Sequence, residues 1–355
     1  MITYRFPTNV GLQEVIQDYV IQREKLLGIK LMPMVPRDTQ VIEWDELDFE
    51  VGMTAPHNMN ADPRIGERPG SKTHRYTPLY FKETDVLKES DMLMPRAMGT
   101  LGGVVDYSAD IARIAKTRTD KNFLRLEWLI WQVFKGVLAF NENGVKVNET
   151  FPVQTEQASV DWDELETAKP VEDLTALALK YRGTGASIAG AEAYINQTTA
   201  NWLLNNKNGD DLRGFQNPNF VALPYSIEEV NKIMTARGLP KIVVYDEGAY
   251  NANLDFEMFL ADGEVIIVGK RPAGETVGDV LLTPSLHHAA MAAQGADARG
   301  FFSIIEVNGK PNPGVMTLAE LGAGKNPKVE VTGGFYGGPR LLYPKTIINF
   351  NAKVT

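Results

Sequence analysis

Gly322-Ala-Gly-Lys325 is the nearest approach in this sequence to a phosphate-cradling loop. Such a loop needs Gly, four residues and Gly-Lys-Ser/Thr, whereas here Ala319 fills the first position and Asn326 the last. Gly183-Thr-Gly185 lacks the third glycine of a dinucleotide fingerprint and follows a helical pattern instead of a strand, so it reads as a hinge. Gly185-Ala-Ser187-Ile-Ala189 ends on alanine where a nucleophile elbow requires glycine, and a helix start at Ser187 accounts for it. His287 and His288 are adjacent, so their imidazoles diverge and cannot converge on a metal. The carboxylate pairs Asp161 with Asp163 and Asp246 with Glu247 have the residue types of a glycosidase, but an acidic surface supplies such pairs unaided. Trp128, Trp131 and Trp202 fall at helical core spacing, which favours packing over base or sugar stacking. No catalytic, cofactor-binding or metal-binding residue emerges, and no cofactor is expected.

Composition narrows the field further. The chain has 355 residues, enough for two domains, with 44% apolar and 23% charged residues, which excludes a wholly disordered or fibrous protein. Lys plus Arg number 36 against 45 Asp plus Glu, a formal charge of -9, so polyphosphate is repelled by the surface as a whole. The absence of cysteine removes disulfides, thiolate metal sites and cysteine nucleophiles. No secretory leader pattern opens the sequence and no window reaches the apolar length of a membrane helix, so synthesis in the cytoplasm is expected.

The elements follow from periodicity. Residues 8–28 read as an amphipathic helix ended by Gly28, and the two prolines of Leu31-Met-Pro-Met-Val-Pro36 send the chain onward as an extended arm. Val41 to Glu50 and Thr73 to Lys82 are extended, and the turn-rich tip from Asn58 to Gly70 makes them a long hairpin. That hairpin leans basic, with Arg64, Arg68 and Lys72 against Asp62 and Glu67, and its aromatic strands invite association. From Tyr107 to Phe140 the pattern supports one helix, about 50 Å long at the usual rise. Its second half is apolar nearly all round and must be covered on every side, by a sheet below and other chains beside it.

Val145 to Val153 alternates as a strand, and residues 156–173 carry seven carboxylates and one lysine, a density that stays solvated or finds a basic partner. Pro170 opens a short helix, a second is expected from Ile188 to Leu204, and Ser226 with Glu229 forms a capping box for a third that Gly238 and Pro240 stop. Strands at Lys241 to Tyr245, Glu264 to Val268 and Asp279 to Thr283 make residues 186–285 an α/β unit. The closing Lys345 to Val354 alternates as a half-buried strand, whose simplest distant partner is Val145 to Val153.

Several stretches, taken in order, resemble the lambda-type capsid protein E family of tailed-phage major capsid proteins. They are Val41-Ile-Glu-Trp-Asp45, Arg75-Tyr-Thr-Pro-Leu-Tyr80, Leu124-Arg-Leu-Glu127 with Trp131-Gln-Val-Phe-Lys-Gly-Val-Leu138, Thr199-Ala-Asn-Trp-Leu203 and Gly337-Gly-Pro-Arg-Leu-Leu-Tyr-Pro344. None is a catalytic signature; the weight lies in their order and spacing. The resemblance implies an α+β chain of HK-ninety-seven-like fold. Residues 1–45 would form an N-terminal arm, 46–100 an extended loop, 101–185 a peripheral domain with a spine helix, 186–327 an axial domain, and 328–355 a strand returning to the peripheral domain.

It also implies a head protein that self-assembles into pentamers and hexamers, forming an icosahedral shell around double-stranded DNA. The chain would end in the virion after assembly in the host cytoplasm, its partners being copies of itself, with a cementing protein, scaffold and portal besides. Contact with packaged DNA would be weak and sequence-blind. Arg64, Arg68, Lys72 and Arg75 are the candidates to meet an acidic surface of a neighbouring subunit, for which Asp161, Asp163, Glu164 and Glu166 qualify. Two other readings stand beside it: a carboxylate-dependent hydrolase, which needs an acid and a base converging in one pocket, and a related shell or tube component such as a nanocompartment protein.

Overall fold

The computed structural model describes residues 25–37, 39, 41–47, 71–88, 105–106, 108–206, 226–251, 254–271, 275–283, 298–299, 302–307, 310–313, 315–320 and 328–353, together with 4–5 and isolated positions between 53 and 62. The chain divides into two compact units interleaved in sequence. One comprises Met1–Ile42, Arg75–Ile130 and Asp279–Arg340, the other Glu43–His74, Trp131–Gly278 and Leu341–Thr355.

In the second unit a five-stranded sheet runs in the order Lys241–Val244, Ser187–Ile195, Glu264–Lys270, Ile347–Asn351, Gln154–Gln157. Ile188, Ala191, Ala193, Ile195, Ile242, Val265, Ile267, Ile348 and Phe350 share one core with helix residues Val171, Leu174, Leu177, Leu203, Val230 and Met234. These come from the helices Pro170–Lys180, Gln197–Asn205 and Ile227–Ala236. The opposite face meets the last helical turn before Gly136, where the Trp131 ring stacks on Tyr245 at 5.2 Å and meets Tyr194 edge-on at 5.5 Å. Asn349 donates its side-chain amide to the Lys135 carbonyl, 3.1 Å, and Lys135 Nζ pairs with Glu264 at 2.6 Å.

Burial on both faces explains two departures from the sequence reading. Ser187–Ile195 is a strand and not the start of a helix; only Gln197–Asn205 is helical, capped by the Asn196 side chain accepting from the Thr199 amide at 2.8 Å. From Ala191 to Ile195 this strand is covered on both sides and loses its two-residue alternation, so its apolar residues also fit a helical period. The closing strand Ile347–Asn351 is likewise buried on both faces, and its partners are Glu264–Lys270, antiparallel, and Gln154–Gln157, parallel, instead of Val145–Thr150.

Val145–Thr150 pairs with Val137–Glu142 as a separate hairpin. Its turn is Asn143-Gly144, with φ of 49° and 79°, the left-handed pair that closes a two-residue hairpin loop. The long helix therefore spans Ser108–Phe134, about 40 Å, and stops six residues short of the expected end. Gly136, at φ +91°, is the stop: it takes the left-handed conformation that ends a helix, and a Cβ there would also crowd the Phe151 carbonyl at 3.3 Å. Leu126, Leu129, Ile130, Trp131, Val133 and Phe134 are fully buried within the single chain, so the apolar circumference of this helix needs no neighbouring subunit to cover it.

In the first unit Lys328–Leu341 is the organising strand. It pairs antiparallel with Val315–Glu320 and with Leu79–Lys88, and its sheet continues through Gly278–Leu282 to Met34–Pro36. Gly278–Leu282 thus belongs here, parallel to Met34–Pro36, and not to the sheet of the α/β unit in which sequence reading put it. Ile111 and Ala115 of the long helix pack on Val329 and Val331. Gly28 does not end a helix: it lies inside the short Leu27–Leu31 helix, and of the expected 8–28 helix residues 8–24 lie outside the described residues.

Candidate subunit interface

Ile42–Leu47 and Ser71–Tyr76 pair as the base of the expected hairpin. Trp44, 8% exposed, stacks on His74 at 5.2 Å and lies parallel to the Phe151 ring at 6.1 Å, while the Thr73 hydroxyl donates to Asp45 at 2.6 Å. Arg64 and Arg68 lie outside the described residues. Lys72 and Arg75 are both exposed, but three positions apart on one strand they face opposite ways.

The acidic candidates occupy the turns between Ala158 and Lys169. Asp163 is engaged by Lys353 Nζ at 2.6 Å, and Glu164 accepts from the Thr167 hydroxyl at 2.9 Å. Glu166 is exposed and Asp161 half-buried. Within the same acidic stretch, Glu156 pairs with Lys180 at 2.7 Å, Glu172 with Lys169 at 2.9 Å, and Asp173 accepts from the Ser159 hydroxyl and the Trp162 indole. Three of the seven carboxylates read from sequence, Glu156, Asp163 and Glu172, are thus paired with lysines of the same chain, and Glu164 and Asp173 accept from neutral donors. Lys353, facing Asp163, Asp161 and Asp262, has its pKa raised, first through its hydrogen bond to Asp163.

Residues that sequence reasoning passed over hold the first unit together. Glu127, fully buried, accepts from the Gly28 amide at 2.7 Å and the Ile29 amide at 2.9 Å. These are the second and third amides of the Leu27–Leu31 helix, the donors an N-cap side chain ordinarily satisfies, and Leu26 at the cap position offers no acceptor of its own. Arg118 makes a bidentate contact with Asp85 and also meets Glu83. Arg340 pairs with Asp279 through two bonds, 2.6 and 2.8 Å, with both side chains about one-tenth exposed. The only local clue was Leu124-Arg-Leu-Glu127 itself, a carboxylate set among buried leucines.

Asp246 and Glu247 are exposed, and Gly183 and Gly185 both take left-handed turns after the Pro170–Lys180 helix. His287, His288 and Gly322 to Lys325 lie outside the described residues. Among the described residues no cluster of three metal-ligating side chains occurs, and no helix is long and apolar enough to cross a membrane. Trp131 is a core residue as expected; Trp128 holds the Arg125 guanidinium over its ring at 4.6 Å, and Trp202 faces Lys353 at 5.6 Å.

No curated protein sequence matches the chain. A protein assigned as the capsid protein of a prophage of Escherichia coli CFT073 superposes with a TM-score of 0.58 at 14% identity, covering 97% of this chain and 99% of that one. A phage-related protein from Bordetella bronchiseptica RB50 gives 0.53 at 11% identity, covering 96% of each. The capsid of a native GTA particle gives 0.50 at 10% identity, covering 93% and 91%. At such identities the likeness establishes the fold, which is α+β and HK-ninety-seven-like. Residues 10–289 match the model of phage major capsid protein E, and the chain belongs to that family of phage major capsid proteins.

Proposed function

We propose that this chain is the repeated subunit of an icosahedral phage head, assembling through pentamers and hexamers around packaged double-stranded DNA. The observation that carries the reading is a capsid fold extending over 97% of the chain. One polypeptide can tile a closed surface only through heterologous contacts, in which two different patches meet and rotation closes the ring. Many such contacts act together, so each can be weak. The arm (residues 1–45), the extended loop (46–100), the peripheral domain (101–185 with 328–355) and the axial domain (186–327) are the parts through which we read those contacts.

The formal charge of -9 suits a container for a polyanion, because a wall that does not adhere leaves the DNA free to pack and leave. Assembly belongs to the host cytoplasm and the product to the virion, with a scaffold, a portal and a cementing protein as the further partners. For the loop we keep the pairing of Arg64, Arg68, Lys72 and Arg75 with Asp161, Asp163, Glu164 and Glu166 of a neighbour, divided between two surfaces because Lys72 and Arg75 face apart. Charge reversal at Arg68 and Lys72 is expected to weaken assembly and its salt dependence; unchanged assembly refutes the pairing. For the function as a whole, the full-length purified chain is sized by light scattering and viewed by electron microscopy. Closed particles tens of nanometres wide are expected, and compact monomers or dimers under every assembly condition overturn the reading.

A further inference from the structure

The hairpin formed by Gly248–Tyr250 and Phe256–Met258 carries three large apolar side chains that its own chain leaves in water. Tyr250 is 70% exposed, Leu254 80% and Phe256 53%. Tyr250 and Phe256 meet edge-on at 5.4 Å, the Asn251 and Leu254 amides donate to the Asp255 and Asn251 carbonyls, and the Asn251 side chain bonds both the Asp255 amide and the Glu257 carboxylate. Leu254 sits at φ +66°, in the left-handed region where a Cβ crowds the following carbonyl and where Gly, Asn or Asp is at ease. A leucine held there gains no burial within the chain to offset the strain. Strain kept at an exposed apolar residue points to a contact made outside the chain.

The chemistry of that contact follows from charge. Asp246, Glu247, Asp255 and Glu257 are all exposed around the tip, and no Lys or Arg occurs between Tyr245 and Gly263. Two such tips repel each other, so the receiving surface is a different one, basic and partly apolar. The same unit has one. The turn after the Pro170–Lys180 helix forms an open concavity lined by Ala178, Tyr181, Arg182, Gly183, Gly185 and Ile188. Leu179 beside it is 55% exposed. Arg182 and Lys270 are exposed and have no carboxylate partner among the described residues, and the Lys270 stem runs past Gly190 on the adjoining strand.

Building on the shell reading above, we propose that the acidic, apolar tip at Tyr250, Leu254 and Phe256 of one subunit docks in the Arg182-flanked concavity of a second copy of this chain. Two dissimilar patches on one subunit, each complementary to the other, make the head-to-tail contact that closes a ring.

The test uses the full-length chain and its critical concentration for assembly, followed by light scattering and sedimentation. Leu254→Asn relieves the backbone strain, so its thermal midpoint is expected to equal or exceed that of the parent, while its critical concentration rises about tenfold, the equivalent of one leucine side chain left in water. Asp255→Arg and Arg182→Asp are each expected to raise the critical concentration, and the double reversal to bring it back toward the parent value. If the unmodified chain never assembles, the shell reading fails on its own account. If it assembles and Leu254→Asn does so at the same concentration, the tip is not an interface and this proposal alone is overturned. If Leu254→Asn weakens assembly but the double reversal does not recover either single, the docking assigned here is overturned as well.

Discussion

Replacing Glu127 with Gln removes a charge without changing shape, and the structure says what that costs. The carboxylate is fully buried and its two oxygens accept from the Gly28 and Ile29 amides, at 2.7 and 2.9 Å. Gln keeps one acceptor oxygen but turns an NH2 donor toward the other amide, leaving two donors facing each other in a buried site. A hydrogen bond to a charged group contributes about 1.5–3 kcal/mol, and an orphaned buried donor costs about as much as a lost bond, so opening the Leu27–Leu31 helix should become easier by about 2–4 kcal/mol. At about 1.4 kcal/mol per decade, exchange of these two amides accelerates about 30-fold to several hundred-fold. Hydrogen exchange read by mass spectrometry on a peptide covering residues 26–32 measures it, with a peptide from the Glu264–Lys270 strand as the internal reference. Gly28→Ala is the companion variant, since a Cβ there would sit 2.9 Å from the Glu127 carboxylate and drive the same pair apart. Unchanged exchange in both variants would show that the carboxylate does not hold the helix and would refute the argument.

Two further outcomes follow from buried polar groups. Arg340→Met strands the Asp279 carboxylate in a nearly closed site and is expected to destabilise the protein by about 3–5 kcal/mol, whereas Arg340→Met with Asp279→Leu recovers most of that loss; denaturant midpoints decide, and a double variant as unstable as the single contradicts the reasoning. Tyr181 is 3% exposed, donates its hydroxyl to the Ile267 carbonyl at 3.2 Å, and has its pKa pushed far above the ordinary phenol value by burial. Because the folded-state pKa is raised, the stability tied to its neutral form is complete below about pH 10, the unfolded value, and is lost as pH rises beyond it. Tyr181→Phe therefore falls short of the parent by about 1 kcal/mol at pH 8, and the gap narrows toward pH 11; a gap that widens instead runs against this sign.

The capping box at Ser226 and Glu229, the proline that opens the Pro170–Lys180 helix, and the stop at Gly238 all stand where residue types put them, because each depends on contacts within one turn of chain. The extended hairpin base and the capsid resemblance were also legible, since alternation and the order of short motifs are properties of the sequence itself. Asn143-Gly144 is a turn signal of the same local kind, and the hairpin it closes takes Val137 to Phe140 out of the helix expected through Phe140. What tertiary structure alone decided is which distant segments meet. Ile347–Asn351 lies between Glu264–Lys270 and Gln154–Gln157, and Gly278–Leu282 joins the sheet of the first unit, because a strand buried on both faces carries no mark of its neighbours. Glu127 caps a helix 99 residues away for the same reason: a carboxylate among leucines announces that it needs donors, and only the folded chain determines which amides supply them.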